Sequence, residues 1–500
     1  MKLNYKKTIF VGFAFFLITA FWQAYDTIIP KILTDKFGMS QSLSGVIMAA
    51  DNVLALFMLP LFGTLSDRCK SRRGRRTPFI LAGTVCAAAL FVVLSFADDL
   101  QLRALEPVAV DNPTAQETLW DAGLSAATPD GVEFDVQEEF TREEFAAIGM
   151  TEPDGSANPD YTNYVVPARQ AYAAAATADS HGPLIFFVVV LLGVLISMAT
   201  FRSPAVALMP DVTIKPLRSK ANAVINLMGA AGGIIVLGLG AVFGTGKAAN
   251  ALMSYTPFFS AISGLMLVSL VIFLWKVKEP QLVREMHEES RRYGIATEED
   301  ADPNSGGRRL SKGEFRSLIL ILMSVVFWFF GYNAVTSKYA VYASSVLDLD
   351  YNLTLMIATG AAIVAYIPVG AVASRIGRRK TILAGIVILG GSFLAAGFIR
   401  AGSPVMLMNV LFATAGIGWA TINVNSYPMV VELSRGGDVG KYTGFYYTAS
   451  MAAQTLTPII SGFLMDTLGM TTLFPYGCVF VFLAFFTMLF VKHGDNKPTK

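Results

Sequence analysis

Charged side chains are scarce in this 500-residue sequence: Asp, Glu, Lys and Arg make up 15% of it, whereas 54% is hydrophobic and the mean hydropathy is +0.52. A soluble chain carries about a quarter charged residues. The shortage argues against an ordinary water-facing surface and makes lipid the expected solvent. Only three cysteines occur, Cys69, Cys86 and Cys478, with no metal-ligand spacing and no set of partners for a disulfide framework, so metal and redox chemistry are set aside. The three histidines, His181, His287 and His493, fall outside the apolar stretches. No nucleophile and base share facing segments, which argues against an integral membrane enzyme.

Long apolar runs, by contrast, are abundant. About 20 such residues cross roughly 30 Å of hydrocarbon. Twelve stretches of that kind lie near 8–29, 42–65, 78–97, 184–209, 220–243, 257–277, 317–346, 352–374, 381–399, 404–431, 442–465 and 471–492. The first follows Lys2, Lys6 and Lys7 as a secretory signal would, but it runs on through Phe21, Trp22 and Tyr25 to Pro30 and reads as a retained helix. The expected fold is an all-α membrane protein with twelve transmembrane helices.

The net charge of +2 conceals a segregation. Residues 98–182 hold seventeen acids against Arg103, Arg142 and Arg169, a balance of −14, which leaves +16 for the remainder. Loops after the second, fourth, eighth and tenth stretches carry 15 Lys and Arg, with Lys220 at the edge of the fifth stretch included, and those on the other side carry 4. Basic short loops stay in the cytoplasm, so both termini are expected there and the acidic insertion outside, in a plasma or inner membrane. The basic clusters have this topological explanation, and no nucleic acid is implied. Within the insertion, Thr141 and Glu144 before Phe145 suggest a capping box, in a segment that is either a small outer cap or flexible.

The sequence also repeats itself. Gly63-Thr-Leu-Ser-Asp67-Arg68 with Gly74-Arg75-Arg76 returns as Gly370-Ala-Val-Ala-Ser374-Arg375 with Gly377-Arg378-Arg379, and Asp211 through Lys220 pairs more weakly with Glu432 through Lys441. The offsets, 303 and 221, differ by 82, close to the 85 residues of the insertion. Two pseudo-symmetric six-helix halves follow: 1–277, interrupted by 98–182, and 317–500, joined by a cytoplasmic linker at 278–316 that carries Arg284, Arg291, Arg292, Arg308 and Arg309. Such halves rock about a midplane site. Gly63 would permit close helix approach, and Asp67 would pair with arginines of its own loop or with opposite helix ends. Gly63, Asp67, Arg68, Gly74, Arg75, Arg76, Arg375, Gly377 and Arg378 are thus the expected cytoplasmic gate, the alternative being that the basic residues serve topology alone.

The run from Gly63 to Pro78 resembles the loop between the second and third helices of major facilitator transporters. More narrowly, it is similar to the sucrose-transporter-like branch related to glycoside-pentoside-hexuronide:cation symporters. Arg202-Ser-Pro204 through Pro210-Asp211, Arg218-Ser-Lys220-Ala-Asn222, and Gly416-Ile-Gly418-Trp419 through Asn423, Asn425, Pro428 and Glu432 carry the same likeness. The resemblance implies cation-coupled uptake of a disaccharide or related glycoside by alternating access, with a proton or another monovalent cation as coupling ion, no other cofactor and a monomeric protein. Two departures stand out. Plant-type sucrose transporters place an arginine two positions after the fourth-helix proline, where Val206 stands here and the nearest arginine is Arg202. The second-helix carboxylates of melibiose-type symporters have no counterpart, since Ala55 and Leu59 precede Pro60.

Ionisable groups inside a bilayer are costly unless they face water or a partner. Asp51 is the expected proton carrier, with Arg202 as its partner and Asp26 beside the outer end; a permanent ion pair is the alternative. Lys338 reads as a side chain reaching outward to the interface. Sugar recognition needs flat apolar faces and a few amides. Trp22, Gln23, Tyr25, Asn52, Tyr332, Asn333, Tyr446 and Gln454 supply these, with the pairs Asn222/Asn226 and Trp419/Asn423 each on one helix face. An exporter, or a sensor built on the same scaffold, remains the competing reading.

Overall fold

The computed structural model describes every residue except 1–2, 129–131, 152–157, 246–249, 296–309, 344–346, 348–350, 401–402, 435–437 and 496–500. Arg308 and Arg309 therefore lie outside the described residues. The first half contains α1 (Tyr5–Lys31), α2 (Gln41–Asp67) and α3 (Thr77–Ala104). After the insertion it resumes with α8 (Gly182–Asp211), α9 (Arg218–Phe243) and α10 (Thr256–Lys276). The second half contains α12 (Lys312–Tyr342), α13 (Tyr351–Ile376), α14 (Arg378–Ala396), α15 (Val405–Val431), α16 (Val439–Leu468) and α17 (Leu473–Leu489). Among the described residues, ten of these are long and apolar enough to cross a membrane, α17 is apolar but shorter, and α16 is as long but not among the ten. The chain is a multi-pass membrane protein.

Local signals fix the helix starts. The Asn4 side chain accepts from Lys7 N at 3.1 Å to begin α1, Ser40 accepts from Leu43 N at 3.2 Å to begin α2, and Pro78 and Pro183 occupy first-turn positions of α3 and α8. At the far end α9 stops where Gly244 takes φ +67, a left-handed conformation that glycine adopts without steric cost. α1 does not stop at Pro30 but continues as a π-helical turn, Ile32–Lys36.

Residues between α3 and α8 fold as a separate small layer. It holds α4 (Ala115–Asp121), the antiparallel strands β1 (Ser125–Ala127) and β2 (Glu133–Asp135), α5 (Val136–Glu139), α6 (Arg142–Ala146) and α7 (Val166–Asp179). The Thr141–Glu144 capping box is present in both directions. A core of its own, with Leu105, Leu119, Phe134, Phe145, Tyr161 and Val165 buried, makes this segment a folded cap. Each such buried side chain is worth about 1.5–3 kcal/mol of burial, enough in sum to order an otherwise polar stretch. The expected boundary at residue 98 shifts, because Asp98 and Gln101 still belong to α3.

The cap is anchored to the first half. Lys36, wholly buried, places Nζ 2.6 Å from Asp98 and donates to Met253 O at 2.7 Å. Gln101 donates to Lys36 O and to Thr177 Oγ1 of α7, both at 3.0 Å, and Gln170 donates to Asp35 at 2.9 Å. Gly38, at φ +63, lies directly against the α7 backbone at Gln170 and Ala174, where no side chain fits. Within the linker, α11 (Glu279–Arg292) lies at the opposite end, burying Leu282 and Met286.

Candidate functional site

The two halves meet along α2 with α16 and α9 with α13, and the cavity between them is open at one end only. It encloses about 830 Å³, reaches along α2 toward Gly45 and along α16 toward Ile459, and so opens on the side that carries the cap. The basic-loop end is shut.

That closure is built from glycines and ion pairs. A Cβ on Gly63 would collide with the Gly440 carbonyl, a Cβ on Gly440 would collide with that of Gly63, and one on Gly444 would stand 2.5 Å from Pro60 Cα. With the backbones this close, the Asp67 carboxylate reaches across to accept from Gly440 N and Lys441 N, each at 2.9 Å, at the start of α16. Exposed N–H groups at a helix start favour such an anion. Arg76 is fully buried and holds Asp67 at 2.5 Å, Asp211 at 2.8 Å and Ser66 Oγ at 2.5 Å, while Arg75 stands 3.4 Å from Asp211. Burial works against the Arg76 charge, but Asp211 and Asp67 outweigh it and raise the guanidinium pKa above its ordinary value.

The second half repeats the pair with different reach. Arg378 donates to Glu432 at 2.9 Å, and crosses to the first half at Ser219 Oγ (3.0 Å) and Lys215 O (2.6 Å). Arg218 of the first half lies 3.7 Å from Glu432. Burial would raise the Glu432 carboxyl, but Arg378, Arg218 and Lys215 together hold it below the usual range. Gly74 and Gly377 both take positive φ, +108 and +96, and each lies against an acid that caps the next helix. Glu279 accepts from Arg75 N (2.6 Å), Arg76 N (3.0 Å) and Thr77 N (2.8 Å), and Asp495 accepts from Arg378 N (2.7 Å). Arg68 and Arg375 are exposed at the rim and lie outside this network. The sequence repeat pointed at Asp211 and Glu432 without showing their role. Glu279 and Asp495 escaped notice, although each follows a Val-Lys pair after the last helix of its half.

Above the closure, Trp22, Asp26, Asp51, Asn52, Arg202, Asn226, Trp419, Asn423, Tyr446 and Gln454 all line the cavity. Five expected substrate residues stand outside its wall in this conformation. Gln23 donates to Thr27 Oγ1 on its own helix at 3.2 Å. Tyr25 is buried behind Trp22 with the rings edge to face. Asn222 belongs to the closure, donating across the halves to Val424 O at 2.7 Å, so the Asn222/Asn226 face is divided between seam and cavity. Tyr332 stacks flat on Trp419, centroids 3.8 Å apart, and forms its backing. The Asn333 amide is buried away from the wall.

Val206 packs in the core, its carbonyl accepting from Tyr427 of the second half at 3.0 Å, while Arg202 faces the cavity. Ala55 and Leu59 form an apolar floor with Ala199 and Met451, and the acid nearest them on α2 is Asp51, one turn before Ala55. Lys338 is not in the cavity wall; its ammonium lies beside Gly462 of α16. Among the described residues, no group of three His, Cys, Asp or Glu side chains is placed to hold a metal ion.

A two-lobed helical bundle with one central cavity, open to one side and latched at the other, is the form of an alternating-access carrier. Comparison with known proteins agrees. The chain matches the profile "MFS/sugar transport protein" at residues 10–102 and "Major Facilitator Superfamily" at 348–500. Its structure matches that of the proton:xylose symporter XylE over 98% of this chain and 96% of that one, with a TM-score of 0.60 and 15% identity. It also matches the transporter FucP in its outward conformation over 98% and 99%, with a TM-score of 0.56 and 12% identity. The chain thus carries two matches to major facilitator models, one in each half, and shares the fold of solved carriers of that superfamily. Sequence likeness to individual relatives is short. A putative glycoside/cation symporter of Escherichia coli, YagG, is 30% identical over 82 residues, 16% of this chain and 18% of that protein. The sucrose transport protein SUC4 of Arabidopsis thaliana is 38% identical over 65 residues, 13% of each.

Proposed function

We propose that this protein is a secondary active transporter that takes up a disaccharide or related glycoside with a proton, oriented with the cap outside and both termini in the cytoplasm. The observation that carries this reading is the cavity itself. Its volume lies within the range of small-molecule sites. Trp22 and Trp419 offer ring faces from opposite halves, and Asn52, Asn226, Asn423 and Gln454 offer amides for hydroxyl groups. The likeness to glycoside and sucrose carriers supports the solute class, and the solved carriers named for xylose and fucose support a proton as the coupling ion.

Asp51, Asp26 and Arg202 are the charged groups in that wall. Two carboxylates against one guanidinium leave room for one proton, since like charges held together in a poorly solvated site disfavour full ionisation. Loading the solute and that proton would neutralise the site before the halves rock. The test is uptake of labelled mono- and disaccharides into proteoliposomes with and without an inward proton gradient. Gradient-driven accumulation of one glycoside is expected, and Asp51→Asn is expected to abolish accumulation while retaining exchange. Full accumulation by that variant would refute the coupling role, and absence of any sugar flux would refute the solute class.

A further inference from the structure

At the cavity floor, the Arg202 guanidinium lies 5.2 Å from the Trp22 ring centre and 5.0 Å from the Tyr447 ring centre. Trp22 and Arg202 belong to the first half, on α1 and α8; Tyr447 belongs to the second, on α16. Arg202 Nε is buried without a hydrogen-bond partner, so the ring faces, with a hydrogen bond between the Tyr447 hydroxyl and the guanidinium, provide contacts for a cation that is incompletely hydrogen-bonded. The other polar groups lining this space are Thr19 and Asp26 on α1, Asp51 and Asn52 on α2, Asn226 on α9, Asn423 on α15, and Tyr446, Ser450, Gln454 and Thr455 on α16.

We propose that Tyr447 is a positioning residue: its ring braces Arg202 across the two halves and holds the cap-side-open conformation. The placement of Tyr447 along α16 carries the argument. Gly444, one turn before it, packs on Pro60 of α2, and the hydroxyl of the next residue, Thr448, donates to Leu56 O at 3.3 Å. Tyr447 also packs with Ala55, Leu59, Ala199 and Met451 in the apolar floor. These contacts all belong to the α2–α16 seam, and the Gly63–Gly440 approach closes that seam two turns lower. Opening it to release solute at the basic-loop end lifts α16 away from α2, and the Tyr447 ring leaves the guanidinium with it. Arg202 then keeps only first-half partners, Trp22 and the two carboxylates. Separation of the halves thereby becomes linked to the charge those acids carry, which deepens the coupling reading given above.

The test uses purified full-length protein carrying spin labels at Lys70 and Lys380, with Cys69, Cys86 and Cys478 replaced, and reads the ratio of open to closed distances at the basic-loop end. No solute or gradient is present, so loss of the sugar or proton reading leaves the result interpretable. Tyr447→Leu is expected to raise the open-to-closed ratio about three- to thirtyfold, the range of a partly to fully desolvated cation–π contact. Tyr447→Phe, which keeps the ring and loses only the hydroxyl's contact with the guanidinium, is expected to shift the ratio clearly less than Tyr447→Leu. In an Arg202→Met background, Tyr447→Leu is expected to add no further shift. An unchanged ratio in Tyr447→Leu, an equal shift in Tyr447→Phe, or an undiminished shift in the Arg202→Met background would each overturn the proposal.

Discussion

Replacing Gly63 with alanine tests the closure most directly. The added methyl overlaps the Gly440 carbonyl oxygen, an atom of a helix backbone that cannot rotate aside. To restore an ordinary contact near 3.5 Å, α2 and α16 must part by roughly 1 Å. The Asp67 bonds to Gly440 N and Lys441 N, now 2.9 Å each, then lengthen past about 3.6 Å, beyond hydrogen-bonding distance. Bonds to a charged group are worth about 1.5–3 kcal/mol each, and water replaces part of that once the seam admits it. A net loss of about 2–4 kcal/mol follows, which shifts the equilibrium toward the basic-side-open form by roughly 30- to 1000-fold. Distances between labels at Lys70 and Lys380 read this as transfer of population from the short to the long distance. A distribution unchanged from the parent would refute the claim that this approach and the Asp67 bonds hold the closed end.

Two further consequences concern the cap and the second half. Lys36→Met leaves Asp98 buried without its cation and is expected to cost about 3–5 kcal/mol, whereas Lys36→Met with Asp98→Leu recovers most of the loss; thermal unfolding in detergent compares the two. For Glu432, whose carboxyl is held below the usual value of about 4.3, the folded form loses its proton more readily than the unfolded one, so its pairing stabilises the protein above that pH and the contribution disappears as pH falls through the lowered value. The stability gap between the parent and Glu432→Gln is therefore expected to hold from neutral pH down to the usual carboxylate value of about 4.3 and to narrow below it; a gap independent of pH would contradict the pairing.

The helices were legible because apolar run length alone decides a membrane span, and no tertiary detail enters that judgement. The latch was partly legible for a different reason: Gly63 and Asp67 add nothing to a topology signal, so their presence in a basic loop asked for another role. Cavity residues were harder to read. Helical spacing places Asn222 and Asn226 on one face, but it cannot say that the cavity floor falls between them. Tyr332 and Trp419 come from different helices and stack only when the second half folds, so nothing local distinguishes the ring in the wall from the ring behind it. The cap core was hidden because its buried residues are scattered among Ala, Asp and Pro without a regular period. Lys36 and Asp98 were read as a topology charge and as part of an acidic run, because their pairing depends on the end of α1 meeting α3.

The repeat keeps a buried arginine–acid pair in each half but shifts it by one position: Arg75 and Arg76 align with Arg378 and Arg379, yet Arg76 is the one buried on Asp211 and Arg378 the one buried on Glu432. What crosses between the halves is also unequal, because Asp67 has Ser374 in its place, and the Ser374 hydroxyl donates back to Gly370 O of its own helix at 3.0 Å. Gly370 lies against α9 much as Gly63 lies against α16, a Cβ there standing 3.0 Å from Ser219 O and 3.2 Å from Lys220 Cα. A carboxylate one turn beyond Gly370 would face the start of α9 as Asp67 faces the start of α16. Ser374→Asp is therefore expected to add a second anionic cap across the seam, worth about 0.3–2 kcal/mol at a partly buried helix start. That gain deepens the closed state, so solute turnover falls about two- to thirtyfold while outer-side solute affinity holds or rises. Faster turnover in Ser374→Asp, or a wider label distance between Lys70 and Lys380, would show that the second seam is not governed by the geometry of the first.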